Sequence, residues 1–154
     1  LEENANSMVT QLSDTIWVLK NEELTFTKLA DRFKLWMQRL MKNYPDVQYF
    51  FQEEISRDIL FTPVNILQLF YALKECVNNA LKHSNCTQLK LTFISNQELK
   101  IMVADNGIGI KTSSLDGNGI ENIKSRADTS NWSVEWRNRP EGGTIVLLYG
   151  HTTN

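Results

Sequence analysis

Glu75-Cys76-Val77-Asn78-Asn79-Ala80-Leu81-Lys82-His83-Ser84 places polar groups on what is otherwise the apolar face of a helix. Glu75 and Asn79 stand four apart, which puts a carboxylate and a carboxamide one turn apart on one helical face, with Lys82 and His83 a turn further on. Such a face can hold a hydrated magnesium ion and a polyphosphate, provided another segment supplies a base pocket and backbone donors for the phosphates. The helix that carries it begins at Thr62-Pro63, a cap and first-turn pair, and continues with Leu67, Phe70, Tyr71, Val77, Ala80 and Leu81 at helical spacing.

Toward the C-terminus two strands follow, Gln88 to Ile94 and Leu99 to Ala104, joined by the short hairpin connection Ser95-Asn96-Gln97-Glu98. Asp105-Asn106-Gly107-Ile108-Gly109 comes next. Asp105 ends an apolar strand, so its carboxylate belongs at the edge of the core and needs a donor there. The exocyclic amine of adenine would serve, and Gly107 and Gly109 would let backbone pass close to a ring. A tight turn capped by Asp105 explains the pattern about as well. Gly117-Asn118-Gly119 then opens a helix marked by Ile120, Ile123 and Ala127, a geometry that offers unpaired N–H groups to an anion; an ordinary glycine-rich helix start is the alternative. Trp132, Val134 and Trp136 alternate as a strand, with both tryptophans expected in the core, and Thr144 to Tyr149 is a closing strand after a turn containing Gly142-Gly143.

Toward the N-terminus, Leu1, Ala5, Met8, Leu12, Ile16 and Leu19 form one helical stripe and Phe26, Leu29, Phe33, Met37 and Leu40 another, which Asn43-Tyr44-Pro45 ends. These stripes read either as core packing or as a helical hairpin or dimer surface shared with a neighbour. Val47, Tyr49 and Phe51 alternate as a short strand, where a mixed α+β body begins. The expected order is helix, helix, strand, helix, strand, strand, helix, strand, strand.

At 154 residues, 42% hydrophobic and 22% charged, the chain is one ordinary domain's worth of a soluble globular protein. A chain of this size buries roughly 70% of its unfolded surface and needs no disulfides. No apolar run approaches the roughly 20 residues of a membrane span, so no membrane contact is expected from this piece. A net charge of -2, from 16 basic and 18 acidic residues, argues against a nucleic-acid partner. Cys76 and Cys86 form no CxxC pair and read as reduced thiols of a cytoplasmic setting, without a zinc site. The opening at Leu1 and the lack of a signal-peptide pattern suggest a piece of a longer protein.

Taken in order, Glu75-x-x-x-Asn79, Asp105-x-Gly107-x-Gly109, Gly117-x-Gly119 and Gly142-Gly143-Thr144 resemble the Bergerat-fold ATPases, the superfamily of gyrase, the ninety-kilodalton heat-shock chaperones, histidine kinases and MutL. The decapeptide quoted first, followed by a short lid and Gly117-Asn118-Gly119-Ile120-Glu121-Asn122-Ile123-Lys124-Ser125-Arg126-Ala127, looks most like sensor histidine kinases of the nitrate-sensor-like group and their Bacteroidetes-type relatives. The resemblance spans about residues 62 to 150. It implies an α+β two-layer sandwich with a mixed sheet, preceded by one or two N-terminal helices.

By the same resemblance, Asn79 coordinates the magnesium that bridges the ATP phosphates, and Asp105 accepts from the adenine amine. Gly107 and Gly109 shape the adenine wall, Gly117 and Gly119 offer donors to phosphate, and Thr144 supports the purine end. Glu75 is the candidate catalytic carboxylate: in hydrolysing members of the superfamily this position activates water, in the kinases it helps the phosphoryl acceptor lose its proton, and its role here depends on the acceptor. Lys82 reaches a phosphate or stays solvated; His83 is more simply a surface or capping residue, and Lys124 and Arg126 a solvated face.

The lid between Gly109 and Gly117 is short, and no phenylalanine-containing box is present, which implies modest ATP affinity. Kinases of this resemblance carry their phosphorylated histidine on the first helix of a dimeric hairpin. The histidines here are His83 and His151, neither on an N-terminal helix. Residues 1–43 therefore look like the second hairpin helix plus a linker helix, and 44–154 like the ATP-binding catalytic domain. The expected function is Mg-ATP-dependent transfer of the γ-phosphoryl group to a histidine outside the chain, then to a response regulator. A homodimer would form in the parent protein through the N-terminal helices, and the chain alone should not autophosphorylate. The alternatives are an anti-sigma-factor-like serine kinase of the same fold and a non-catalytic nucleotide-binding or dimerisation module.

Overall fold

A computed structural model describes residues 2–109 and 118–151. The elements run α1 (Glu2–Lys20), α2 (Phe26–Leu40) with a 3-10 turn at Met41–Asn43, β1 (Gln48–Ile55), α3 (Pro63–His83), β2 (Gln88–Ser95), β3 (Leu99–Asp105), α4 (Asn118–Thr129), β4 (Trp132–Asn138) and β5 (Thr144–Gly150). Local chemistry sets the boundaries. The Thr25 hydroxyl accepts from Lys28 N at 3.2 Å at the start of α2, and Thr62 accepts from Asn65 N at 3.2 Å ahead of Pro63 at the start of α3. At the far end of α3, Ser84 N donates to Ala80 O and Asn85 turns the chain with φ 56°.

The five strands form one mixed sheet in the order β1-β2-β3-β5-β4. β1 and β2 are parallel, and α3 is the connection between them; the other pairs are antiparallel. Leu89, Leu91 and Phe93 of β2, Ile101 and Val103 of β3 and Val146 and Leu148 of β5 bury one face of the sheet against the helices. Ile66, Leu69, Phe70, Leu73 and Val77 of α3 meet that face, with Ile123 and Ala127 of α4 beside them. The α2 stripe lies in the same core: Phe26 and Phe33 sit 5.7 and 6.0 Å from Phe93 between ring centroids, and Phe33 packs edge-on to Phe70. Each such fully buried aromatic contributes on the order of 1.5–3 kcal/mol.

The two N-terminal stripes part company here. That of α2 is core, apart from the half-buried Leu40, whereas the α1 row faces water, with Met8 70%, Leu12 61%, Ile16 42% and Leu19 77% exposed. Core packing of the α1 stripe is thus overturned. The helix side of the sheet is already filled by α2, α3 and α4, so α1 lies outside them and packs on α3 through its other side. That side holds Val18 and the buried Asp14, whose carboxylate bonds Arg32 of α2 at 2.9 Å and Lys74 of α3 at 3.2 Å. The two cations in turn rest on rings, Arg32 over Trp17 and Lys74 over Phe70 with its Nζ 4.4 Å from the ring centroid.

Candidate functional site

A cleft of about 410 Å³ opens between the second half of α3, the ends of β3 and β5, and the start of α4. Asn79 lines it from α3, Asp105 from β3, Gly109 from the following loop, Gly119 from α4 and Thr144 from β5. The candidate residues that lie far apart in sequence are therefore brought to one place.

Asp105 is 5% exposed, and its Oδ1 accepts from Gly107 N at 2.8 Å. Burial pushes this carboxyl above its ordinary range, while the N–H groups of Gly107 and Thr144, the Arg139 guanidinium and the Ser84 hydroxyl pull the other way. Asp105 thus caps the turn after β3, as the second reading of the Asp-x-Gly-x-Gly pattern expects, and it also lines the cleft. A buried acceptor of this kind suits a ligand that brings an N–H donor.

The loop after β3 is fastened from two directions. The Asn106 side-chain oxygen accepts from Thr87 N and Gln88 N, both at 2.8 Å, and its nitrogen donates to Thr87 Oγ1 at 2.9 Å. Ile108 N donates to Ser84 O at 2.8 Å, which ties the loop to the end of α3. Gly109 takes φ +83°, a conformation that side chains disfavour.

Gly119 stands over Asn79, and a Cβ there would sit 3.4 Å from both the carboxamide nitrogen and oxygen. The first turn of α4 therefore meets the polar face of α3 at Asn79. Gly117 and the expected lid, 110–117, lie outside the described residues. Glu75 is half-buried one turn before Asn79 and does not line the cleft. Lys82 is exposed and lies away from the lining, while His83, also exposed, reaches the rim.

Several lining residues were not singled out by the sequence. Val103, Ile108, Ile120, Trp136 and Val146 make the apolar walls, and Cys76 lies among them with its thiol pushed strongly upward by burial, hence kept protonated. Trp132 is core as expected; Trp136 is a half-buried cleft wall instead, with Lys124 Nζ 5.8 Å from its ring centroid. Strand alternation puts both tryptophans on one face but cannot tell where along that face the helices stop covering it. Arg126 also departs from the solvated reading: it donates to Gln68 Oε1 at 3.0 Å and stacks over Tyr71, joining α4 to α3. Among the described residues no group of three or more His, Cys, Asp or Glu side chains is placed to hold a metal. A magnesium ion that arrives on phosphates needs no such cage, since it keeps waters and takes few protein ligands; the Asn79 carboxamide oxygen beside the α4 start fits that demand.

Residues 64–151 match the family model described as histidine kinase-, DNA gyrase B-, and HSP90-like ATPase, and the chain belongs to that family. It is 31% identical over 85 residues to the nitrate/nitrite sensor protein NarX of Escherichia coli (strain K12), a match that covers 53% of this chain and 14% of that protein. Among solved structures, the ATP binding domain of PrrB from Mycobacterium tuberculosis superposes with a TM-score of 0.65 at 21% identity, covering 86% of this chain and all 100% of that one. The cytoplasmic segment of histidine kinase QseC gives a TM-score of 0.64 at 16% identity, covering 96% and 95% of the two chains. The structural likenesses establish the fold, the α+β architecture of histidine kinase ATP-binding domains, and agree with the resemblance carried by the motifs.

Proposed function

We propose that this chain is the Mg-ATP-binding catalytic domain of a two-component sensor histidine kinase, transferring the γ-phosphoryl group to a histidine outside it. The observation that carries the proposal is the convergence of Asn79, Asp105, Gly109, Gly119 and Thr144, from separate elements, on one cleft with apolar walls. In this reading the purine lies between those walls, with its amine donating to Asp105 and its far end supported by Thr144. Gly107 and Gly109 keep the loop backbone close to the ring. Gly119 at the start of α4, with Gly117 two residues before it in sequence, would donate to the phosphates, and the Asn79 carboxamide would hold a magnesium ion that arrives with them. Bound there, the metal supplies neutralisation of phosphate charge. Phosphoryl transfer asks mainly for positioning and charge stabilisation, so this is what the site must provide. Glu75, one turn before Asn79 and just outside the lining, helps the acceptor histidine lose its proton, and Lys82, exposed and off the lining, would have to extend along α3 to reach a phosphate.

Among the described residues no helix is long and apolar enough to cross a membrane. We place the domain on the cytoplasmic side of its parent, where ATP and a response regulator are available. The exposed Met8, Leu12, Ile16 and Leu19 of α1 support pairing of residues 1–43 with the same region of a second copy in the parent protein, ahead of a catalytic unit at 44–154.

Calorimetry with a non-hydrolysable ATP analogue tests the site. Binding should require magnesium and disappear in Asn79→Ala and Asp105→Ala, and a wild-type chain that binds nothing would overturn the proposal. The full-length parent should take label from the γ-phosphate onto an acid-labile histidine; acid-stable label on serine would point to the other kinase class.

A further inference from the structure

Arg139 lies in the turn between β4 and β5 and has no part in the family motifs read above. Its guanidinium donates to the backbone oxygen of Asp105 at 3.0 Å, and the same side chain binds Glu141 Oε1 through Nε at 3.1 Å and through a terminal nitrogen at 2.8 Å. Its backbone closes the turn, with Arg139 N donating to Gly143 O at 2.9 Å and Gly142 N donating to Arg139 O at 3.0 Å. On the β2 side Asp105 is still paired, opposite Leu89, but on the β5 side the ladder stops at Ala104 opposite Ile145. The Asp105 carbonyl therefore sits just past the last β3–β5 pair. There Arg139 takes over, and Gly143 is packed so tightly that a Cβ on it would lie 1.9 Å from the Asp105 oxygen.

We propose that Arg139 is a positioning residue for Asp105: it fixes the backbone of the base-recognising carboxylate from behind the cleft and thereby sets preference for a purine bearing an amine. The inference rests on the ATP-binding reading above and adds to it a determinant of base selection. The arrangement is economical in physical terms, because a charged donor holds a carbonyl more strongly than a neutral one, and Glu141 limits the freedom of the guanidinium. The positive charge also counters the upward push of burial on the Asp105 carboxyl.

The test measures magnesium-dependent binding of two nucleotides by calorimetry, a non-hydrolysable ATP analogue and the matching purine nucleotide that lacks the 6-amino group. If the wild-type chain binds neither, the ATP reading itself fails, separately from this inference. If it binds, Arg139→Gln should weaken the ATP analogue about tenfold and the amine-free nucleotide less than about twofold, the scale of one charged hydrogen bond. Arg139→Lys, which keeps the charge and a donor, should recover most of that loss. Equal weakening of both nucleotides would overturn the inference and leave Arg139 a turn-stabilising residue. Should Arg139→Gln not fold, Glu141→Ala carries the same test: it frees the guanidinium without touching Asp105, and must lower the ratio of the two affinities.

Discussion

Gly107 and Ser84 approach so closely that a Cβ on the glycine would lie 2.2 Å from the serine backbone oxygen and 2.5 Å from its Cβ. The nearest obstacle is backbone, itself held by Ile108 N at 2.8 Å, so it cannot swing aside. Gly107→Ala should therefore destabilise the domain by about 1–3 kcal/mol, the usual cost of overpacking, and loosen the loop that carries Gly109. Thermal unfolding and nucleotide titration read both effects. Adding Ser84→Gly should not rescue the variant, because the carbonyl stays where it is; full rescue would show that the side chain was the obstacle.

Asp105 titrates above its ordinary 3.8, chiefly because it is buried, with the Gly107 N–H and then the Thr144 N–H opposing. A carboxyl raised in the folded state favours folding when protonated. Its contribution is fully present below the ordinary value and is lost as the pH rises through the raised one. Asp105→Asn should remove that loss. The melting temperature of the variant relative to wild type should climb from acidic pH toward neutrality while nucleotide affinity falls. A difference that stays flat across that range would count against the burial argument.

Asp14→Ala leaves two cations facing a gap, Lys74 with 13% of its side chain exposed and Arg32 with 23%. Burial already lowers the Lys74 pKa, and Asp14 opposes that shift. Breaking such a buried pair costs on the order of 3 kcal/mol, whereas replacing both partners by apolar residues costs less. Since most of α1 faces water, the loss should appear first as release of α1. Hydrogen exchange should speed up in Glu2–Lys20 ahead of α3 in Asp14→Ala, and less so in Asp14→Leu with Lys74→Met.

Of the four tryptophans in the chain, Trp136 lines the cleft, while Trp17, Trp36 and Trp132 pack with the core cluster and outside the lining. Adenine nucleotide should change the intrinsic emission, and Trp136→Phe should remove most of the change while thermal stability moves little. A signal that survives Trp136→Phe would place the base elsewhere.

The sequence made the frame readable because its punctuation is chemical. Thr62-Pro63 starts α3, alternation marks β1 and β4, and the motifs between Glu75 and Thr144 contain five residues that the fold does bring to one cleft. What it could not show depends on where one layer ends over another. The α1 and α2 stripes have the same period, yet Phe33 is buried and Leu12 is exposed, because available sheet surface, not amphipathicity, decides which helix is covered. Trp136 and Trp132 differ for the same reason. Asp14, Arg32 and Lys74 carry no local pattern, since their meeting joins three helices. Arg139 was silent too: beyond its neighbour Glu141, its long-range partner is a backbone carbonyl, which has no letter in the sequence.

The strand partners β1 and β2 are neighbours only because α3 carries the chain from one to the other. Bringing them together closes a long loop, which is the slow, entropically costly part of building such a sheet. The helix that bears Asn79 is that loop. The pairing of Gln48 with Gln88 and the position of α3 across the sheet are thus two results of one connection, and the wall of the cleft that carries Asn79 comes with the parallel strand pair.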